Sequence, residues 1–179
     1  MKDFLSRASL ILASGFGTGF FPWASGTFAS LAYIPIYLML HWLLPSGITS
    51  QLYLLLAICI FGWLSTHLCL KEKMHEIFNR QKLSVRETKD QDPSFVVIDE
   101  WAGMQTTLLV LSSFSWIGLI LAFIYFRIFD ILKPKPVSTL EELPGALGVM
   151  ADDLMAGIYA AIALKGSLLL LTLTGLDIF

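Results

Sequence analysis

The sequence predicts an all-α, multi-helix integral membrane bundle, with about five membrane-embedded helices and an interfacial helix at the N-terminus. Three observations carry this reading. The 179 residues are 56% hydrophobic and 15% charged, with a mean hydropathy of +0.72; typical soluble domains are about 45–50% apolar and about 25% charged. No Asp, Glu, Lys or Arg occurs between Arg7 and Lys71, which leaves room for two crossings of the ~20 residues a bilayer needs. A further uncharged run covers 101–126. The length suits one helical membrane domain, 1–179. A net charge of −2 with no basic stripe argues against a nucleic-acid partner.

The elements follow in order. MKDFLSRASLILASGFG has a basic start and a short apolar run, but no small-residue cleavage pattern leading into a hydrophilic chain. It is therefore expected to stay as the interfacial helix rather than leave as a signal peptide. Pro45-Ser46-Gly47 is a turn signal, dividing the first uncharged stretch into spans near 28–44 and 52–70. SSFSW at 112–116 interrupts the second run, so a hairpin of helices near 95–111 and 114–132 explains more than one long span. A last helix runs from about 153 to 173, with Lys165 inside it. Cys59 and Cys69 fall in or at the end of a span without zinc-type pairing, and no disulfide is expected. His41, His67 and His75 show no ligand spacing.

Basic residues mark the cytoplasmic side of membrane proteins. Lys71, Lys73, Arg80, Lys82, Arg86 and Lys89 all fall in the polar stretch 71–98, Lys2 and Arg7 precede the first span, and Arg127, Lys133 and Lys135 close the fourth helix. With the N-terminus inside, five crossings put them all on the cytoplasmic face, while the outer turns 45–51 and 112–115 carry no basic residue. Lys165 either snorkels to an interface or marks an earlier helix end. The same topology brings Asp99 and Glu100, then Arg127, Asp130 and Lys133, then Asp152 and Asp153, to one depth. Ionisable groups there are costly and usually pair or serve function.

Each motif admits a plain reading and a functional one. In FRIFDILKPKPV, 126–137, Arg127, Asp130 and Lys133 stand at three-residue intervals and share roughly one helix face. They form either a structural ion pair with a proline stop, or a positive surplus suited to phosphate. In VVIDEWAGM, 96–104, Asp99 and Glu100 are either first-turn acids favoured by the helix dipole or a pair needing a cation between them; Trp101 is read as an interfacial anchor. In GVMADDLMAG, 148–157, Asp152 and Asp153 are either an N-cap and a first-turn acid or further carboxylates for an oxygen-rich magnesium site. GFGTGFFPWASGTFASL, 15–31, is either a flexible turn with small packing residues or a backbone cradle for phosphate at the helix beyond Gly26-Thr27. No cysteine-phosphatase loop, Gly-x-Ser-x-Gly elbow, Walker loop or D-G-x-x-A-R signature is present. Asp90-Gln91-Asp92 lacks the apolar strand that an aspartyl-phosphatase needs before it.

Taken in order, GTGFFPWASGTFASL, DPSFVVIDEWAGM, FRIFDILKPKP and GVMADDLMAG closely resemble the phosphatidylglycerophosphatase A family. The likeness runs from about residue 15 to 160. It departs at Ser25, where proline is expected, and at Ala29, where glycine is frequent. The resemblance implies an all-helical, magnesium-dependent phosphatase of the bacterial inner membrane. Its substrate would be the anionic phospholipid phosphatidylglycerophosphate, hydrolysed at the cytoplasmic face to phosphatidylglycerol and phosphate. It implies Mg²⁺ ligands among Asp99, Glu100, Asp130, Asp152 and Asp153, catalytic work for Asp99, Glu100, Asp130 and Asp153, and a matching acidic position at Asp92. Arg127, Lys133, Gly26 and Thr27 would contact phosphate, and a carboxylate would act as general base or as nucleophile. The alternative is a small membrane transporter or ion-coupled carrier with charged helix pairs, which would place those pairs near the bilayer midplane. A non-catalytic scaffold whose acids cap helices is the third reading.

Overall fold

A computed structural model describes residues 2–45, 47–71, 93–111 and 113–174. Among them are seven α-helices, a 3₁₀ turn and no strand. They are α1 (Lys2–Ala13), the 3₁₀ turn (Thr18–Phe20), α2 (Ser25–Leu43), α3 (Ile48–Lys71), α4 (Ile98–Leu108), α5 (Trp116–Leu132), α6 (Val137–Leu140) and α7 (Ala146–Leu173). Asp92 and most of the basic 71–98 stretch lie outside the described residues.

The fold is all-α, and α2, α3 and α7 are long and apolar enough to cross a membrane. The segment expected to span over 95–111 is instead the 11-residue α4. At 1.5 Å per residue it extends about 16 Å, well short of the ~30 Å hydrocarbon layer. Nearly every residue from Ile98 to Leu108 is buried, so α4 is an internal helix, sheltered by α2, α3, α5 and α7. This overturns the reading of Trp101 as an interfacial anchor: it is buried, with its ring 5.9 Å from Phe16 and 5.5 Å from Tyr33. Below it, polar side chains satisfy one another. Tyr33 donates to Gln105 Oε1 at 2.7 Å, and Gln105 Nε2 donates to Gln51 Oε1 at 2.8 Å.

The glycines of two motifs set the closest helix approach. A Cβ on Gly157 would stand 2.5 Å from the Gly103 carbonyl oxygen, and one on Gly103 would stand 2.8 Å from the Asp153 carbonyl oxygen. The Gly157 obstruction is backbone, which cannot swing aside, and at Gly103 the Phe126 ring stands closer still, 2.3 Å from such a Cβ. Thr107 Oγ1 then donates across the crossing, 3.0 Å from the Gly103 carbonyl and 3.3 Å from that of Gly157. Small residues and interhelical hydroxyls supply helix affinity where lipid removes the usual hydrophobic drive.

Gly145, with φ of 61°, precedes α7 and starts it at Ala146, well before the expected 153. The reading of Asp152 as an N-cap and Asp153 as a first-turn acid is therefore excluded; both lie inside the helix and are buried. The segment after α1 folds back on the approach to α4. Val97 donates to the Ala13 carbonyl at 2.8 Å, and Ser25 Oγ donates to the Ser94 carbonyl at 2.8 Å. That second bond gives the serine standing at the expected proline position a use. The α1 helix packs on α3, with Ser9 buried and its Oγ 3.8 Å from Cys69 Sγ.

Because the Gly157 obstruction is backbone, Gly157→Val should destabilise the protein by about 1–3 kcal/mol, the usual cost of forcing bulk into a packed core. Thermal unfolding in detergent measures this. An unchanged midpoint would mean that α4 and α7 do not cross so closely.

Candidate active site

Three helices deliver ionisable groups to one end of the bundle, and a fourth closes around them. The start of α4 supplies Asp99 and Glu100, the last turns of α5 supply Arg127 and Asp130, and the early turns of α7 supply Asp152 and Asp153. The first two turns of α2, bearing Gly26 and Ser30, close the group. Glu100, Asp130 and Asp153 each offer a carboxylate oxygen within 4.8 Å of the others. Asp153 is 4% exposed, and the charges of Glu100, Asp130, Asp99 and Asp152 all bear on it.

The apparent cation–anion–cation stripe divides in space. Arg127 Nη1 bonds the Glu100 carboxylate and lies 2.9 Å from Asp130 Oδ2. Lys133 leaves that face altogether. Pro134 follows it, which disfavours continued right-handed helix, and Lys133 takes a left-handed backbone (φ 43°) as the C-cap of α5. Its Nζ then reaches Asp152 Oδ2 at 2.8 Å and Glu141 Oε2 at 3.3 Å. Burial alone would lower the Lys133 pKa, but hydrogen bonding and charge from Asp152, then from Glu141, outweigh it and hold the pKa above the ordinary value.

The expected positive surplus is thus replaced by its opposite. Each cation faces more than one carboxylate, and Asp153 has neither. Asp153 Oδ2 is buried and has no hydrogen-bond partner among the described residues. Such a group costs several kcal/mol, in order of magnitude, unless a cation or proton joins it. Three converging carboxylates with no nitrogen or sulfur donor among them suit a hard divalent cation such as magnesium, so the residues present fit a metal. Arg127 Nε is also buried without a hydrogen-bond partner among the described residues. It leaves one donor of the guanidinium for an acceptor not yet supplied.

The other expected site residues take distinct positions. Asp152 stands outside the convergent trio, held by Lys133 and accepting the Asp153 amide at 3.0 Å on its other oxygen. Asp99 is buried on the first turn of α4, also outside the trio. Gly26 lies against Glu100 so closely that a Cβ would overlap the carboxylate, which makes its role close packing of that side chain. Thr27 is half-buried beside it on the first turn of α2. Two residues escaped the sequence reading: Glu141, which braces Lys133, and Ser30, whose Oγ lies 3.1 Å from Glu100 Oε2. Ser30 stands four residues after Gly26, so helical spacing alone puts the two on one face. A cavity lined by Tyr37, His41, Gln51 and Leu109–Leu111 opens near the other end of α2 and contains no carboxylate; it is remote from this chemistry.

Comparison with known proteins agrees with the motifs. The family model described as phosphatidylglycerophosphatase A matches residues 11–168. A Bacteroides thetaiotaomicron protein, provisionally described as a phosphatidylinositol-3-phosphatase, is 36% identical over 86% of this chain and 89% of its own. The phosphatidylglycerophosphatase A of Escherichia coli is 34% identical over 84% of this chain and 78% of its own. That of Haemophilus influenzae is 34% identical over 85% and 83% respectively. No solved structure matches the chain.

The Lys133–Asp152 contact is a partly sheltered pair, with side chains 27% and 7% exposed. A double-mutant cycle of Lys133→Met and Asp152→Asn, read by unfolding in detergent, should return a coupling of about 1 kcal/mol. Additive effects would show that the two do not pair in solution.

Proposed function

The chain belongs to the phosphatidylglycerophosphatase A family and is a phosphatidylglycerophosphatase, and from that premise we propose a magnesium-dependent reaction at the cytoplasmic face of a bacterial inner membrane. The observation that carries the proposal is the convergence of Glu100, Asp130 and Asp153 within 4.8 Å, with Asp153 Oδ2 unpartnered among the described residues. A magnesium ion held by these three would, together with Arg127, balance their charge and would supply Lewis acidity at a phosphoryl oxygen.

The remaining steps belong to the chain's own groups. Arg127 offers its Nε to an anionic phosphate oxygen, a charge-assisted contact that also orients the group. The first-turn amides of α2 at Gly26 and Thr27 stand next to Glu100 and favour negative charge. Hydrolysis joins a water oxygen to phosphorus and breaks the phosphorus–oxygen bond to the glycerol headgroup. Water loses a proton to a carboxylate of the cluster, and the departing alkoxide gains one. Asp99 adds charge that raises the cluster's demand for a cation, and Asp152 keeps Lys133 and Glu141 docked against the site. Lys133, so braced, acts on phosphate through its charge rather than by a bond along the Asp130 face. The carrier reading finds no support: the relatives are phosphatases, and the charged groups sit at one end of the bundle.

The placement of charge supports the cytoplasmic side. The starts of α2, α4 and α7 and the end of α5 share the acidic end, and exposed Lys135 lies there in the loop after α5. Gly47, between α2 and α3, lies at the other end and is exposed. Basic loops favour the cytoplasm.

The following outcomes are expected. Chelation should abolish phosphate release from phosphatidylglycerophosphate, magnesium should restore it, and Asp153→Asn should lower the rate by about a hundredfold or more, as losing a key electrostatic contact does. The same assay on phosphatidate and phosphatidylinositol 3-phosphate should give slower release; metal-independent release, or a preference for either competitor, would overturn the assignment. In a variant freed of Cys59 and Cys69, an impermeant maleimide applied to intact cells should label Gly47→Cys and spare Lys135→Cys. The reverse pattern would put the site outside.

A further inference from the structure

We propose that Ser30 is a positioning residue that sets the Glu100 carboxylate and the Arg127 guanidinium in their places at the acidic cluster. This rests on reading the cluster as the metal-assisted phosphate site. Ser30 is fully buried on α2. Its Oγ lies 2.8 Å from the Gly26 carbonyl oxygen, 3.1 Å from Glu100 Oε2 and 3.3 Å from Arg127 Nη1.

A serine inside a helix often does no more than donate to the carbonyl four residues back, and the Gly26 contact taken alone would be that. The other two contacts have no such explanation. They reach both members of an ion pair supplied by two different helices, α4 and α5. A hydroxyl has one proton to give and lone pairs to receive. Ser30 can therefore accept from Arg127 while donating to Glu100, which no apolar residue of its size can do. Gly26 completes the device from the same helix. Its missing side chain admits Glu100 Oε1, while Oε2 faces Ser30 and Arg127. Both oxygens of the carboxylate are thus located by α2, and the guanidinium is located with them.

Outer partners that orient a ligating group typically account for about 10–100-fold in metal affinity or activity. The test uses Mn²⁺ as the probe, with free ion followed by electron paramagnetic resonance on purified protein in detergent. Ser30→Ala should weaken Mn²⁺ binding by about tenfold or more and raise the magnesium concentration for half-maximal phosphate release by a similar factor, with the unfolding midpoint little changed. Ser30→Cys should be impaired equally, because it fills the volume but offers only a weak hydrogen bond. Wild-type Mn²⁺ affinity in Ser30→Ala, or its recovery in Ser30→Cys, would reduce Ser30 to packing and overturn the proposal. Asp153→Asn separates this from the wider reading: if it binds Mn²⁺ as well as wild type does, the cluster is not the metal site and the role of Ser30 falls with it. Failure of Ser30→Ala alone leaves the cluster standing.

Discussion

Mutual repulsion among buried carboxylates is the constraint on which this architecture turns. Asp99, Glu100, Asp130, Asp152 and Asp153 come from three helices and meet in a region largely closed to water. Like charges so close cannot all stay ionised without cations among them. Arg127 answers for Glu100 and Asp130, and Lys133 for Asp152 and Glu141. Neither reaches Asp153, whose carboxylate is the most enclosed of the trio. Among the described residues, one carboxylate is thus left without a cation at the point where three converge. That imbalance is poor for stability, since a buried unpaired charge is strongly destabilising. The same arrangement is one that could hold a metal ion.

Holding the imbalance in place requires helices that approach more closely than ordinary side chains allow. Gly103 follows Asp99 by one helical turn, and Gly157 follows Asp153 by the same interval. Each glycine lies against the backbone of the other helix. The acid and the glycine of each motif thus act together: the glycine brings the backbones into contact, and the acid a turn earlier is carried into the cluster. Gly26 on α2 makes room of a different kind, for the carboxylate of Glu100 itself. Packing and electrostatics are one design here, because the distance between carboxylates is set by residues that carry no charge.

Much of this was legible in the sequence, for identifiable reasons. The lack of charge from Arg7 to Lys71 fixed two long apolar helices, and the bounds of α2 and α3 fall within a few residues of the expected ones. The acidic pairs were visible because a charge in an apolar run has few innocent uses. Their partners were not. Lys133 stands three residues from Asp130, and helical spacing assigned it to that face; only the backbone turn before Pro134 sends it to Asp152 instead. The start of α7 was misjudged because Asp152-Asp153 imitates a helix N-terminus, whereas Gly145 supplies the real one. The length of α4 was hidden too. Hydropathy reports that a segment avoids water, and cannot say whether lipid or protein surrounds it.

That last ambiguity bears on how the site is built. A helix crossing the bilayer must present apolar side chains to lipid around much of its circumference, which limits the polar groups it can hold. The described α4 is relieved of this demand because α2, α3, α5 and α7 enclose it. It carries Asp99, Glu100, Gln105, Thr106 and Thr107 within 11 residues, a density that a lipid-facing helix would not tolerate. The longer helices provide the apolar wall, and the short one provides the floor on which the chemistry stands. Such a division also explains why the polar chain Tyr33–Gln105–Gln51 lies under the site. Hydrogen bonds to α2 and α3 fix the axial position of α4, and with it the height at which Glu100 meets Asp130 and Asp153.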